Sequence, residues 1–150
     1  MATISNDREL RIAVDGLTPE QQRVLGGEFV GSVLGLCEDT RVRGAVEVAI
    51  DPDASEAELS GAFRDAKAVS VKTYTDCGKD TDWMAQAAHF VAAAAAACLA
   101  SPSRPGGDNP AWKAAMQTRM ARNCEMIERQ EGAEHNESET QYQIANGFLS

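Results

Sequence analysis

The stretch HFVAAAAAACLA, from His89 to Ala100, contains six consecutive alanines and constrains the fold more than any other segment. Alanine has the highest helix propensity and loses no side-chain entropy on burial, so the run predicts a helix that other helices approach closely. Aromatic residues make up only 5% of the chain, and the core must therefore be filled by small aliphatic side chains. We interpret the alanines as an internal packing surface.

A glycine-bearing helix is the predicted packing partner of the alanine helix. Gly27, Gly31 and Gly35 recur every four residues and fall on one helical face. Each interior glycine costs about 0.8–1 kcal/mol relative to alanine, so several of them suggest a close approach of another backbone. The matching small-residue face consists of Ala88, Ala92 and Ala96. The sequence thus predicts a closely packed Gly/Ala helix pair.

Helix start signals divide the rest of the chain. They are Thr18 with Pro19 and Gln21, Ser55 with Glu58, one of Asp80 to Asp82, Asn109 with Pro110, and Asn136 with Glu139. The helix after Pro110 is expected to bury a stripe made of Trp112, Met116, Met120, Cys124 and Ile127. No stretch alternates long enough to predict a sheet.

The expected fold is an all-α, single-domain bundle of five to six helices that spans residues 1–150. Residues 1–16 are expected to form either a short helix capped by Ser5 or Asn6, or a flexible arm. Residues 101–109, which hold prolines and glycines, are expected to form a flexible loop.

The net charge of −9 disfavours binding to nucleic-acid phosphates or anionic membranes and favours a basic protein partner. The opening MATISNDRELRI does not resemble a secretory signal, and four scattered cysteines form no CxxC pair. We therefore expect a cytoplasmic protein with reduced thiols. Di-iron ExxH pairs, zinc-ligand spacing, phosphate loops and nucleophile elbows are missing from the sequence, so we expect no metal, no cofactor and no catalytic residue.

An acidic run between residues 125 and 139 is the strongest charge feature, with six glutamates against one arginine. A local acidic patch of this kind speeds the association of a basic partner by electrostatic steering. The predicted partner-binding residues are Glu125, Glu128, Glu131, Glu134, Glu137 and Glu139. The simpler interpretation of the run is a solvated helix end.

The sequence leaves two alternative functions open. A small enzyme or ligand-binding protein would use the loop from Tyr74 to Trp83, in which Cys77 and Lys79 precede a helix N-terminus. A homo-oligomeric structural protein would place the glycine or alanine face at a subunit contact. His89 is expected to be a core or helix-interface histidine.

The segments RVRGAVEVAI, SEAELSGAFRDAKAVS and MAQAAHFVAAAAAACLA, together with the closing ETQYQIANGFL, carry a family resemblance. In composition and layout the chain resembles the alanine-rich, all-helical immunity proteins of bacterial toxin systems. The resemblance implies a non-enzymatic protein that binds and neutralises a toxin, and it assigns no functional residue. An acidic phage-encoded inhibitor of a nucleic-acid-binding defence complex fits the same features.

Overall fold

The computed structural model describes residues 3–76, 82–100, 109–129 and 135–150. These residues form a 3-10 turn (Leu34–Leu36), no strand, and seven α-helices: α1 (Asp7–Asp15), α2 (Pro19–Gly31), α3 (Thr40–Ala49), α4 (Glu56–Asp76), α5 (Trp83–Leu99), α6 (Pro110–Glu128) and α7 (Glu137–Leu149). The all-α prediction is confirmed. The predicted count of five to six helices is wrong, because α1 is a packed helix in addition to the six main ones. Within the described ranges, no helix combines the length and the apolar character needed to cross a bilayer.

Side-chain caps form at most of the predicted helix starts. At the start of α2, the Thr18 amide donates to Gln21 Oε1 at 3.0 Å and the Gln21 amide donates to Thr18 Oγ1 at 3.2 Å. Ser55 and Glu58 exchange the same pair of hydrogen bonds before α4. These reciprocal bonds satisfy amides that have no partner inside the helix, so local sequence alone determines where these two helices begin.

Asn109 begins α6 and also anchors it to the first helix. Its Oδ1 accepts from the Ala111 amide at 2.9 Å, and its Nδ2 donates to the Val14 carbonyl at the same distance. Asn109 is buried, with 7% of its surface exposed. The rest of the predicted flexible loop, residues 101–108, lies outside the described residues.

The predicted capping box at the start of α7 does not form. Asn136 precedes the helix with φ −109° and ψ 33°, and its side chain makes no cap hydrogen bond. A capping side chain normally requires an extended backbone at this position to reach the second or third helical amide. The Glu137 amide instead donates to Nδ1 of His135 at 3.3 Å.

Within residues 3–16, which the structure describes, Asp7–Asp15 form the short helix that was one of the two expectations. The Asn6 side chain caps α1 by accepting from the Glu9 amide, and Leu10 is fully buried. The segment before α1 is also held, because the Asn146 side-chain amide exchanges two hydrogen bonds with the backbone of Ile4, at 2.8 and 3.0 Å.

A polar clasp joins α1 to α6 and α7. The Arg119 guanidinium donates to both carboxylate oxygens of Asp7, at 2.7 and 2.9 Å, and the Tyr142 hydroxyl donates to the same carboxylate at 2.7 Å. The hydrogen bonds from Arg119 hold the pKa of Asp7 below its ordinary value, although partial burial acts in the opposite direction. The clasp therefore depends on an ionised Asp7.

Acid is expected to loosen α1 before the centre of the bundle. A carboxyl group with a lowered folded-state pKa stabilises the fold above its unfolded pKa, near 4, and this contribution is lost as the pH falls through the folded value. Hydrogen-exchange protection of Leu10 and Val14, corrected for intrinsic rates, should therefore fall between about pH 5 and pH 2 more steeply than protection in α5. In an Asp7→Asn chain, the protection of α1 at about pH 5 should already be lower than in the wild type, and it should change little on acidification to about pH 2. An equal pH response in the two chains would contradict this role of Asp7.

The alanine helix α5 lies at the centre of the larger core cluster. Its most extensive interface is with α6, and its next is with α4. Ala92, Ala94 and Ala95 are fully buried, as are Ala114 and Ala121 on the facing helix α6. The interpretation of the alanine run as an internal packing surface agrees with this arrangement. A second cluster joins α1, α2, α6 and α7 around Phe29.

The buried face of α6 differs from the predicted stripe. Met120 and Ile127 are 44% and 45% exposed, whereas Ala114, Thr118 and Ala121 are fully buried. Only side chains this small let the axis of α6 approach the alanine face of α5, so the larger residues are turned outward. Of the predicted stripe, Cys124 is buried, and Trp112 and Met116 pack at the edge of the second cluster.

The glycines predicted to lie on one helix do not form the predicted seam, since α2 ends at Gly31 and Gly35 lies in the 3-10 turn that follows. Cβ atoms built on Gly31 and Gly35 would meet nothing within 4 Å, so these two positions face open space. The close approach occurs instead at Gly26, where a Cβ would lie 2.8 Å from Cβ of Cys98 in α5, and at Gly27, which faces α3. The predicted pairing of Gly27, Gly31 and Gly35 with the alanine face is therefore not confirmed.

Candidate functional site

Two of the six predicted partner-binding glutamates form an internal ion-pair cluster around Arg122. The Arg122 guanidinium donates to Glu125 at 2.7 Å, to Glu137 at 3.2 Å and to the Ser32 carbonyl at 2.9 Å. The Ser32 hydroxyl also donates to Glu137. Glu137 is only 3% exposed and Glu125 8%. These two carboxylates connect α2, α6 and α7 and do not project from the surface.

The other four predicted glutamates have different positions. Glu128, in the last turn of α6, and Glu139, in the first turn of α7, are exposed at the same end of the bundle. Glu131 and Glu134 lie outside the described residues. The structure thus separates the predicted set, and its described surface part, Glu128 and Glu139, is termed here the C-terminal acidic surface.

The alternative site in the loop from Tyr74 to Trp83 is described only at its two ends. The Tyr74 side chain is 72% exposed and Trp83 is half-buried, while Cys77 and Lys79 lie outside the described residues. His89 lies nearby, with its ring centroid 5.8 Å from that of Tyr74. Whether this loop binds or reacts with anything stays a prediction.

His89 fastens α5 to α4. Its Nδ1 lies 2.9 Å from the Ser70 carbonyl oxygen and 3.0 Å from the Thr73 hydroxyl. Because a carbonyl oxygen can only accept, Nδ1 carries the proton that it donates to Ser70. The half-buried ring therefore occupies a helix interface, as the sequence analysis expected.

The three described cysteines, Cys37, Cys98 and Cys124, are buried. Burial raises the pKa of Cys98 to about 12 and also raises the pKa of Cys37. A thiol reacts as a nucleophile only when it is deprotonated, so at neutral pH Cys37 and Cys98 act as small core residues. The described residues also contain no group of three or more His, Cys, Asp or Glu side chains placed to hold a metal ion.

A groove of about 480 Å³ lies between the starts of α2, α4 and α6 and the end of α5. Leu59, Phe63 and Leu99 form its apolar floor, and Glu20, Glu56 and Ser60 stand among the polar residues that line it. This volume lies within the range of about 300–1,000 Å³ that is typical of ligand pockets. The groove is therefore a concave site of ligand-binding size, formed by described residues of four helices.

Arg23, which also lines the groove, is held by the end of α3. Its Nε donates to the Ala49 carbonyl at 3.1 Å and its Nη2 donates to the Asp51 carbonyl at 2.7 Å. The last carbonyls of a helix have no partner inside the helix and carry partial negative charge. The Arg23 guanidinium therefore compensates the end of α3 while it keeps its positive charge.

Beside the groove lies a second acidic region, which the sequence analysis missed. Glu47, Asp51, Asp53, Glu56 and Glu58 are all exposed and are termed here the α3–α4 acidic surface. None of the ion pairs formed among the described residues involves any of these five carboxylates. A sequence signal was present, because residues 44–63 contain these five acids and no Lys or Arg.

Searches with family models, among curated proteins and among solved structures each found no match to this chain. The resemblance to alanine-rich immunity proteins therefore stays a prediction.

Proposed function

We propose that this chain is a non-enzymatic helical protein that binds and neutralises a basic protein partner. The observation that carries the proposal is the α3–α4 acidic surface, where five exposed carboxylates have no described cation paired with them. Such a surface attracts lysine- and arginine-rich proteins and accelerates their encounter. The C-terminal acidic surface would extend the same field.

The distribution of the cations supports this interpretation. Arg11, Arg41, Arg119, Arg122 and Arg129 each pair with a carboxylate of the same chain. These pairs cancel in charge, so the net charge of −9 comes from the remaining residues, among which acids are in excess of Lys and Arg. A basic toxin or a nucleic-acid-binding protein is the kind of partner that this field would favour. The buried free thiols Cys37 and Cys98 fit a reducing compartment such as the cytoplasm.

Three double charge reversals test the proposal, and each raises the net charge by the same amount because each replaces two glutamates or aspartates with lysine. They are Glu47→Lys/Asp53→Lys on the α3–α4 acidic surface, Glu128→Lys/Glu139→Lys on the C-terminal acidic surface, and Glu28→Lys/Glu38→Lys at other exposed positions as the matched control. Since the total charge change is equal, a difference in binding reports where the partner docks.

We expect the wild-type chain and the control to retain the same basic protein from a lysate of the source cell. The Glu47→Lys/Asp53→Lys variant should lose about tenfold in affinity for that protein in a titration, which corresponds to about 1.4 kcal/mol. Wild-type binding should also weaken between about 50 and 300 mM salt, because added ions screen exposed charges. Equal affinity of all four chains, with no salt dependence, would contradict the proposed function.

A further inference from the structure

We propose that the groove between α2, α4, α5 and α6 receives a segment of the partner protein that carries apolar side chains flanked by lysine or arginine. The inference rests on the proposed function and adds to it the place and the chemistry of docking. It follows from three features of the groove: its apolar floor, the charge around it, and its continuity with the α3–α4 acidic surface.

The floor offers unfilled apolar contact. Leu59 and Phe63 are one turn apart on α4 and half-buried, and Leu99 at the end of α5 is 8% exposed. A volume of about 480 Å³ accepts several side chains, as when one face of an amphipathic helix lies in a groove. Burial of apolar side chains here would supply affinity that surface charge alone does not.

Charge selects the occupant. Glu20 and Glu56 line the groove from different helices, and these two carboxylates outnumber Arg23, the one cation among its described lining residues. Together with the neighbouring carboxylates of the α3–α4 acidic surface, they favour cationic side chains beside an apolar anchor. A second copy of this chain is a poor occupant, because two chains of net charge −9 repel each other.

The position of Glu56 links the groove to the proposed function. Glu56 lines the groove and also belongs to the α3–α4 acidic surface, so a partner attracted by that surface would arrive beside the groove. Steering by charge and anchoring by apolar contact would then act on the same part of the partner.

The test uses synthetic peptides and an isotope-labelled chain observed by NMR. The probe is an amphipathic leucine–lysine peptide of about 14 residues, or four helical turns. One comparison peptide has the same composition in scrambled order, and a second carries glutamate in place of lysine. The variant Ser60→Trp fills the groove without changing the charge, and Ala68→Trp, at an exposed position of the same helix outside the groove, is its matched control.

We expect the amphipathic lysine peptide to shift the amide signals of residues 59–63 and 98–100, and the glutamate peptide to leave them unchanged. Ser60→Trp should weaken the binding of the amphipathic lysine peptide about tenfold and Ala68→Trp less than about twofold, since only the indole at position 60 occupies the space that the leucines of the peptide would fill. A circular dichroism spectrum equal to that of the wild type shows that both variants are folded.

The comparison peptides separate the two proposals. If the scrambled peptide binds as tightly as the amphipathic one and both variants bind like the wild type, the groove is not the docking site and the inference is overturned, while charge-driven binding stands. If neither lysine peptide binds, the proposed function loses its electrostatic basis, and the inference fails with it.

Discussion

A Gly26→Val chain is expected to have a free energy of unfolding about 3 kcal/mol lower than the wild type, because overpacking a well-filled core costs that much. At Gly26, a Cβ would lie 2.8 Å from Cβ of Cys98, 3.4 Å from the Ala111 Cα and 3.5 Å from Cβ of Ala114. The nearest of these atoms belong to α5 and α6, whose short side chains cannot rotate away. The helices would have to separate, and the alanine contacts between them would be weakened.

The matched control for this prediction is Gly31→Ala at the end of the same helix. A Cβ there meets nothing within 4 Å, so alanine should be neutral or should stabilise the chain by about 0.5 kcal/mol through helix propensity. Urea denaturation followed by circular dichroism measures both values. If Gly26→Val were as stable as Gly31→Ala, the close approach of α2 to α5 and α6 would be wrong.

An Arg122→Met chain is expected to be about 3 kcal/mol less stable than the wild type, because removal of one partner from a buried ion pair leaves uncompensated charge. Arg122 is the cation that bonds to both Glu137 and Glu125, which are 3% and 8% exposed. It also satisfies the Ser32 carbonyl near the end of α2. Loss of the guanidinium therefore removes a hydrogen-bond donor from two buried carboxylates and from one backbone carbonyl.

Two further chains make this prediction specific. Arg129→Met removes a cation that also bonds to Glu125, at 3.1 Å, but its side chain is 59% exposed, so the loss should stay below about 1 kcal/mol. In Arg122→Met/Glu137→Gln the buried charge at position 137 is gone, and part of the lost stability should return. The measurement is again urea denaturation. Equal losses for Arg122→Met and Arg129→Met would show that the ion-pair cluster is no more than a surface feature.

The behaviour of the Arg122 cluster also bears on the proposed function. Because Glu125 and Glu137 act inside the fold, reversing their charge would damage the attachment of α7 as well as any binding surface. Partner binding is therefore better tested at Glu128 and Glu139, whose side chains are exposed. The same reasoning favours Glu47 and Asp53 over Glu58, which caps α4 through the Ser55 amide.

The acidic run could be predicted from the sequence, but the burial of its members could not. Glu125 and Glu128 are three residues apart and fall near one another on the helix, yet one is 8% exposed and the other is exposed to solvent. What separates them is Arg122 together with the approach of α7, which buries Glu137 against the same guanidinium. The spacing of the glutamates along the chain does not indicate that contacts between helices will bury two of them.

The sequence by itself determined that the chain is helical and where most of its helices begin. Capping by Thr18, Ser55, Asp82 and Asn109, and the high propensity of the alanine run, act over a few residues and need no distant partner. Only the tertiary structure decided which helix faces approach. In α6 the small residues point inward and Met120 and Ile127 outward, since α5 offers a face that only short side chains can approach closely. The groove, the Arg122 cluster and the contact at Gly26 likewise arise where separate helices meet, because packing is a property of pairs of surfaces.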